Sequence, residues 1–277
     1  MHEWPLLIFT VAIPASVGGI LFLSFIQGSL AKSGKDTVKV MKLPILVIAI
    51  LSIIGLIGSF FHLGSPMSAI NTLKGFGRSW MSNEIVFTGV FIALVCVMAG
   101  LVLINKKLNP VLLLVTGIVG LVTIYCMASA YAVTRVNGWD HLNTYLVFFG
   151  TTFSLGPVLG AGLLTATVKD EKAQKIIKWA FAFGIIGIAI QVAGSAMFAG
   201  YLPEVEMIDG STAAMKLESY STMIGIRWII ELAGLAAIGY LSVKSMPKTN
   251  YAMLYAAILV FAIAEGMSRY VFYVLGA

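Results

Sequence analysis

The polar stretch Phe61–Glu84, which reads FHLGSPMSAINTLKGFGRSWMSNE, separates two long apolar runs of the chain. It holds one histidine, one proline, three glycines, two cations and one carboxylate. His62 closes the preceding apolar run and Glu84 opens the next one. If both runs cross a membrane, these two titratable side chains lie at helix ends on the same side of it. The stretch therefore predicts a polar loop that joins two spans and carries chemistry at both of its ends.

The composition supports that premise. Of 277 residues, 59% are hydrophobic and 11% are charged, and the mean hydropathy is +0.97. A soluble domain carries about 25% charged residues, so this chain has too little polar surface to cover a globule in water. It is predicted to be a polytopic membrane protein with lipid as its surroundings. In a membrane protein an excess of Lys and Arg usually sets the orientation in the membrane. The net charge of +6 is explained in this way, and we expect no nucleic-acid partner.

Eight apolar windows have the length of about 20 residues that a membrane-spanning helix needs. No stretch between them is long enough for a soluble domain, so we predict an all-α bundle of eight transmembrane helices in a single integral-membrane domain, residues 1–277. Glycines at helical spacing, such as Gly156 and Gly160, favour close packing of these helices. The windows are residues 5–27, 43–62, 84–104, 110–133, 144–167, 176–199, 221–243 and 250–274.

The cations of the links predict the orientation of the bundle. The first, third, fifth and seventh links, together with Lys178 at the start of the sixth window, hold 12 of the 18 Lys and Arg residues, and the other three links hold 4. Cytoplasmic loops carry the excess of Lys and Arg. We therefore expect the odd links in the cytoplasm, both termini on the outer (extracytoplasmic) side, and the protein in the cytoplasmic (inner) membrane.

Four charged side chains lie inside predicted spans and away from the window ends, where charges are costly and usually functional. Arg227 and Glu231 are spaced by four residues, and so are Glu265 and Arg269, which places each pair on one helix face. One interpretation is two intrahelical salt bridges with a structural role. The other is a polar pocket, because the predicted topology places all four groups in the outer half of the membrane, together with Glu84.

Such a pocket suits a quinol, an amphipathic carrier of two electrons and two protons. Its oxidation needs a hydrogen-bond acceptor for each hydroxyl and a route for the protons. A histidine and a carboxylate serve these tasks at neutral pH. His62, Ser65 and Glu84, with the Arg and Glu pairs, are the predicted head-group site. A histidine at a helix end also suits a purely structural hydrogen bond, and this alternative stays open.

The protein is not expected to hold a redox centre. A haem in a helix bundle usually takes two axial ligands from facing spans, whereas His2 is in the terminal tail and His141 is in a link, which leaves only His62 at a span. Cys96 and Cys126 stand singly in apolar runs. We therefore predict no haem, no iron–sulfur cluster and no metal in this polypeptide. Electrons from a quinol would pass directly to a partner protein on the outer face.

These features resemble the membrane-anchor subunit of the anaerobic dimethyl sulfoxide reductase family. The resemblance covers the whole sequence, and the block from HLGSP to SNE is its most specific part. Arg227 in the seventh span also matches, and Tyr131 in the middle of the sequence looks similar. The matching segments are HEWPLLIFTV (2–11), HLGSPMSAINTL (62–73), SNEI (82–85) and AEGMSRYVFY (264–273).

The resemblance implies a haem-free anchor that binds menaquinol and holds two exported subunits on the outer face. One partner would carry four iron–sulfur clusters and the other would be a molybdopterin catalytic subunit. His62 takes the position associated with quinol oxidation in the family, and Glu84 the matching acidic position after the loop. The implied menaquinol-binding residues are His62, Ser65, Glu84, Tyr131, Arg227, Glu265 and Arg269.

The leading hypothesis is therefore a quinol-oxidising subunit of anaerobic respiration, with terminal reduction on a partner subunit. His62 would accept one proton and Glu84 or Glu265 the other, while Lys74 and Arg78 would meet the partner. One alternative is a transporter or channel for a small solute, but the inner halves of the spans are almost purely apolar. Another is a structural tether whose polar groups only stabilise the fold.

Overall fold

The computed structural model of the protein describes residues 4–32, 34, 36–62, 69–134, 136–168, 171–207, 210–243 and 250–275. The side chains of residues 62, 69, 70 and 171 are outside this description. Within the described ranges the protein is helical, and its β-structure is limited to one isolated bridge between Glu206 and Thr212. The prediction of an all-α fold is confirmed.

Eight of the helices are long and apolar enough to cross a membrane, which confirms the predicted number of spans. Two short helices, α3 (Ala69–Thr72) and α8 (Ala213–Glu218), and two 3-10 turns, Leu73–Gly75 and Leu202–Glu204, lie in the links. The long helices are α1 (Trp4–Lys32), α2 (Thr37–His62), α4 (Trp80–Leu103), α5 (Pro110–Ala132), α6 (Leu142–Thr165), α7 (Glu171–Tyr201), α9 (Ser221–Val243) and α10 (Tyr251–Val274).

The helix starts of α5 and α4 show how far hydropathy alone places a helix end. Asn109 accepts hydrogen bonds from the backbone N–H of Val111 and Leu112 at 3.0 and 3.2 Å, with Pro110 at the first helical position, an arrangement that favours a helix start. Helix α4 begins at Trp80, four residues before the predicted start. Glu84 therefore lies one turn inside the helix, because backbone hydrogen bonding continues through polar residues at which an apolar window stops.

The bundle has two halves around two central helices. In α1 and α6, 72% of the most apolar window is buried, the largest share among the spans. Helix α1 packs against α2 and α5, and α4 packs against both of these, so α1, α2, α4 and α5 form the first half. Helix α6 packs against α7 and α10, and α9 packs against both of these, so α6, α7, α9 and α10 form the second half.

The two halves meet where α1 and α6 cross with their backbones in contact. A Cβ atom added to Gly18 would lie 1.8 Å from the carbonyl oxygen of Thr152, and one added to Gly156 would lie 2.4 Å from the Cα of Gly18. Only glycine permits this approach, as in other close helix crossings within membranes. The expected packing role of Gly156 is confirmed, and this crossing fixes how the two halves face each other.

One end of the bundle collects the groups that the sequence singles out. Thr10 near the start of α1 and Tyr273 near the end of α10 have their hydroxyl oxygens 2.9 Å apart. The indole N–H of Trp139, in the link between α5 and α6, donates to the carbonyl of Phe272 at 2.8 Å. We call this end, where α1 and α4 begin and α5 and α10 finish, the site end. Its outward orientation remains the prediction of the charge count.

Candidate functional site

Three hydroxyl groups from three helices form a connected cluster at the site end. The Tyr131 hydroxyl lies 3.0 Å from the Tyr273 hydroxyl, which in turn lies 2.9 Å from the Thr10 hydroxyl. Thr10 also donates to the carbonyl of Leu6, one turn earlier in α1, at 2.8 Å. We call Thr10, Tyr131 and Tyr273 the hydroxyl cluster. Because each hydroxyl both donates and accepts, the three groups can form a continuous chain of hydrogen bonds that fixes their orientations.

Glu84 faces this cluster from α4. Its carboxylate interacts electrostatically with the Tyr131 and Tyr273 hydroxyls and with Cys126. The side chain as a whole is partly buried. The structure thus brings together Glu84 and Tyr131, two of the predicted menaquinol-binding residues, although they are far apart in the sequence.

Aromatic rings surround Tyr131 on several sides. Its ring centroid lies 5.2 Å from that of Trp139, 5.5 Å from that of Phe272 and 5.6 Å from that of Phe148. Trp139 and Phe272 are stacked, with an interplanar angle of 9°. Such offset-stacked and edge-to-face contacts hold flat rings in defined orientations. The rings around Tyr131 therefore hold its hydroxyl in a defined position within the hydroxyl cluster.

A second polar group lies in the second half of the bundle and consists of charged side chains. Glu265 accepts hydrogen bonds from Thr151 at 2.8 Å and from Gln191 at 2.7 Å, and a third from Ser154. Its side chain is buried. Buried charges persist in a bundle only when such partners satisfy them. We call Gln191, Arg227, Glu231, Glu265 and Arg269, with Thr151 and Ser154, the charge cluster.

Arg227 connects α9 to the rest of the charge cluster. It donates to the side-chain oxygen of Gln191, and its guanidinium lies 3.0 Å from the carboxylate of Glu231. The predicted intrahelical pair of Arg227 and Glu231 is therefore confirmed. The guanidinium also lies over the ring of Trp228, 3.8 Å from its centroid. Its Nε is buried without a hydrogen-bond partner.

The second predicted salt bridge, between Glu265 and Arg269, is wrong. Both side chains lie in the described part of the protein, and the structure joins them through the hydroxyl of Thr151, which donates to Glu265 and accepts from Arg269 at 3.3 Å. The fully buried guanidinium of Arg269 instead lies 3.7 Å from the centroid of Phe148. The ring face attracts the cation, so Phe148 stabilises the guanidinium in this position.

Arg269 also links the two clusters. It interacts electrostatically with Glu265 in the charge cluster and with Tyr131 and Tyr273 in the hydroxyl cluster. The single outer-half pocket predicted from the sequence is therefore two neighbouring groups of different character. Glu84 and Tyr131 belong to one group and Arg227 and Glu265 to the other, and Arg269 lies between them.

A cavity of about 250 Å³ opens beside the charge cluster, between the ends of α6, α7, α9 and α10. Arg227, Asn143, Ser195 and Ser268 contribute its polar groups, and the rest of its lining is mostly apolar. Phe272 forms part of the wall and also contacts Tyr131, so a single aromatic ring separates the cavity from the hydroxyl cluster. We call this space the Arg227 cavity.

The structure gives less information on the remaining predicted site residues. His62 is the last residue of α2, and its side chain is outside the description, as is the whole of Ser65. Lys74 and Arg78 are exposed in the turn before α4, where the backbone N–H of Gly77 donates to Asn83 at 2.7 Å. The catalytic role of His62 and the docking role of Lys74 and Arg78 stay predictions.

Sequence reasoning missed Tyr273 and Thr10 as site residues. One signal was available for Tyr273, because it follows Arg269 by four residues and so shares its helix face. Thr10 gave no comparable signal, since threonine is common in apolar helices and its partner is 263 residues away. Only the packing of α1 against α10 shows that they meet.

Comparison with known proteins identifies the family of this protein. The family model described as DMSO reductase anchor subunit (DmsC) matches residues 1–275. The C subunit of the anaerobic dimethyl sulfoxide reductase of Escherichia coli K12 is 32% identical over 236 residues, which cover 83% of this protein and 79% of the relative. The corresponding C subunit of Haemophilus influenzae is 28% identical over 276 residues, covering 99% and 94%. This multi-pass membrane protein therefore belongs to the family of dimethyl sulfoxide reductase anchor subunits.

Proposed function

We propose that this protein binds and oxidises menaquinol at the hydroxyl cluster and Glu84, and passes the electrons to an iron–sulfur subunit docked at the site end. A molybdopterin catalytic subunit then uses them in anaerobic respiration. The observation that carries the proposal is the carboxyl group of Glu84, on a partly exposed side chain, which interacts electrostatically with a connected pair of tyrosine hydroxyls among stacked rings. These are the groups that a hydroxylated aromatic head group needs.

The chemistry follows from what a quinol loses. Its oxidation to a quinone releases two protons and two electrons, so each hydroxyl must meet an acceptor. The Glu84 carboxylate accepts one proton, and Tyr131 fixes the ring by hydrogen bonding. His62, which ends α2 at the same end of the bundle, is the proposed acceptor for the other. We assign the carboxylate role to Glu84 rather than Glu265, because three donors already occupy Glu265.

The site end also offers charged groups for the partner subunits. Lys74 and Arg78 are exposed before α4, and Glu204, Glu206 and Glu218 are exposed in the link that contains α8. A partner with complementary charges would approach in a defined orientation. The hydroxyl cluster lies at this same end, so the electrons then travel only a short way to an iron–sulfur cluster in the docked subunit.

The contacts of the buried charges argue against the transporter alternative. A solute pathway needs polar groups that are free to bind the solute and that continue through the membrane. The charge cluster has unpartnered atoms on Arg227, Glu231 and Arg269, but the described buried polar groups near the opposite end, Thr165 and Ser242, bond to carbonyls of their own helices. The polar groups of the charge cluster are therefore not continued by free groups at that end.

The proposal is tested in the intact complex by measuring the oxidation of a water-soluble menaquinol analogue. Glu84→Gln keeps the size of the side chain but removes the acceptor, and we expect the rate to fall about a hundredfold, at the lower end of general-base effects. Tyr131→Phe removes one hydroxyl and should lower the rate about tenfold.

The matched control is Tyr145→Phe, which removes a hydroxyl that lies 3.1 Å from Ser129 and has no place in the proposed mechanism. Its rate should stay within about twofold of the unmodified complex, a factor that corresponds to less than one ordinary hydrogen bond. A dye that reduces the partner subunits directly should give equal rates in all three variants. Normal menaquinol oxidation by Glu84→Gln would disprove the proposed mechanism.

A further inference from the structure

We infer that an anionic phospholipid binds in a groove between α1 and α7, at the end of the bundle opposite the site end. A cavity of about 200 Å³ opens there, apart from the Arg227 cavity. The last turns of α1 and the first turns of α7 form its two walls, and both helices pack against α6. Because Lys172 and Lys175 line it, we call it the lysine groove.

One end of the lysine groove is cationic. Lys172 and Lys175 are spaced by three residues, which places both side chains on one face of α7. Ser29 of α1 is exposed and lines the opposite wall. Ammonium groups donate charge-assisted hydrogen bonds to phosphate oxygens, and a serine hydroxyl can donate one as well. The polar end of the groove therefore suits a phosphate group.

The sequence around this end carries an excess of positive charge. Residues 28–42 and 168–178 hold eight lysines and three acidic residues. The described side chains that line the groove include no carboxylate. Since like charges one turn apart on a helix repel each other, an anion placed between Lys172 and Lys175 stabilises their arrangement.

Beside the lysines the surface is aromatic and apolar. The ring centroid of Phe25 lies 4.8 Å from that of Trp179 and 5.4 Å from that of Phe183, with both contacts edge to face. Phe25 and Trp179 are 47% and 41% exposed, so they offer apolar surface that a lipid chain can cover. Tryptophan is enriched at the level of the lipid head groups, which agrees with the position of Trp179 one turn beyond Lys175.

A membrane phospholipid fits both parts of the groove, whereas a soluble anion uses only the lysines. Its phosphate would lie at Lys172 and Lys175, and an acyl chain would run along Phe25 and Trp179. An anionic lipid is favoured over a zwitterionic one, because the latter brings a cation of its own to the lysines. The charge count predicts this end of the bundle on the cytoplasmic side, where basic pockets between spanning helices recognise anionic head groups.

The bound lipid would connect the two halves of the bundle. Helix α1 belongs to the first half and α7 to the second, and the close crossing at Gly18 lies about three helical turns from Ser29 along α1. The lipid would therefore join the halves at a second level. A ligand that binds only the folded state stabilises it, so an anionic lipid should raise the unfolding temperature of the complex.

The test compares two double variants of the complete complex in detergent. Lys172→Gln/Lys175→Gln removes the charges of the groove, and Lys106→Gln/Lys107→Gln removes two exposed charges from the link between α4 and α5 at the same end of the bundle. Binding of phosphatidylglycerol and of phosphatidylcholine is titrated by native mass spectrometry. We expect the groove variant to bind phosphatidylglycerol about 25-fold more weakly, about fivefold for each lysine. The other double variant should stay within about twofold of the unmodified complex.

A third variant tests the groove from its other wall. Ser29→Glu brings a carboxylate to the two lysines from an exposed position of α1 and should weaken phosphatidylglycerol binding about fivefold or more. Phosphatidylglycerol should raise the unfolding temperature of the unmodified complex, but not that of Lys172→Gln/Lys175→Gln.

Equal losses in the two double variants would overturn the groove, because they would show a general attraction of the lipid to the cationic end of the bundle. Equal binding of phosphatidylglycerol and phosphatidylcholine by the unmodified complex would also overturn it, as would unchanged phosphatidylglycerol binding in Ser29→Glu. Displacement of the lipid by millimolar inorganic phosphate would instead identify a site for soluble anions and contradict a lipid site.

Discussion

The hydroxyl cluster and the charge cluster are neighbours, yet the carboxyl groups next to them differ in exposure and in the number of hydrogen bonds they accept. Glu265, in the second half of the bundle, is 1% exposed and accepts three hydrogen bonds. Glu84, in the first half, is partly exposed and faces neutral hydroxyls. A carboxylate whose acceptor capacity is used by the protein holds helices together, whereas one that keeps capacity free can act on a ligand. The difference supports a structural role for the charge cluster and the proposed quinol chemistry for Glu84 and the hydroxyl cluster.

The rest of the two halves shows the same contrast. The described buried polar residues of α1, α2, α4 and α5 are all serines and threonines, whereas α9 and α10 bury two arginines and two glutamates. Several of the hydroxyls bond to carbonyls of their own helix, such as Thr116 to Leu112 at 2.7 Å, and do not need another helix. The charges need partners on other helices, so the second half depends on specific pairings.

The largest expected effect comes from disturbing the crossing that holds the two halves in register. Gly18→Leu places a side chain where even a Cβ atom would lie 1.8 Å from the carbonyl of Thr152, so α1 and α6 must separate. We expect no folded complex in purified membranes, as judged by size-exclusion chromatography in detergent. Gly28→Leu, on the same helix with open space around it, should yield normal protein. A folded Gly18→Leu variant would contradict the rigid crossing.

The next effect distinguishes the two carboxylates directly. Glu265→Leu leaves Thr151, Ser154 and Gln191 without their acceptor, and should lower the free energy of unfolding by about 3–5 kcal/mol. Glu84→Leu should change the free energy of unfolding by less than about 1 kcal/mol, because the side chain is partly exposed, while it abolishes menaquinol oxidation. Thermal unfolding in detergent and quinol turnover should be measured on both variants. Equal loss of stability in both would remove the contrast between the clusters.

The smallest expected effect comes from changing Thr10, the member of the hydroxyl cluster on α1. Thr10→Val keeps the shape of the side chain but removes the hydroxyl that lies 2.9 Å from that of Tyr273. We expect a loss of about 1 kcal/mol in stability, the usual value of one hydrogen bond, and a small decrease in quinol turnover. Thr116→Val removes a hydroxyl bonded only within its helix and should leave turnover unchanged. A larger decrease in Thr116→Val than in Thr10→Val would contradict the network.

Much of the fold was predictable because a membrane span can be identified from a single continuous stretch of sequence. Length and hydropathy identify eight helices, and the spacing of Arg227 and Glu231 predicts their pairing. The spacing of Glu265 and Arg269 is the same, yet Arg269 turns to Phe148. Spacing along one helix cannot show what a neighbouring helix offers, and here α6 supplies both an aromatic face and the hydroxyl of Thr151.

The candidate site was predictable in its location and only partly in its composition. Glu84 and Tyr131 were both identified as site residues, and they do face each other. Their partner Tyr273 and the division into two clusters depend on how α1, α5 and α10 pack at the site end. That packing is decided by contacts between residues far apart in the sequence, which composition and periodicity do not encode.

The bond between Thr10 and Tyr273 has a consequence for how the protein is made. Thr10 lies in α1 and Tyr273 near the end of α10, so the hydroxyl cluster cannot close before α10 has been synthesised. Helices α1 to α9 can enter the membrane and begin to pack, but the proposed place for the quinol is completed only when α10 arrives. Under the proposed function, a partly synthesised anchor without α10 would therefore be unable to draw electrons from the quinol pool.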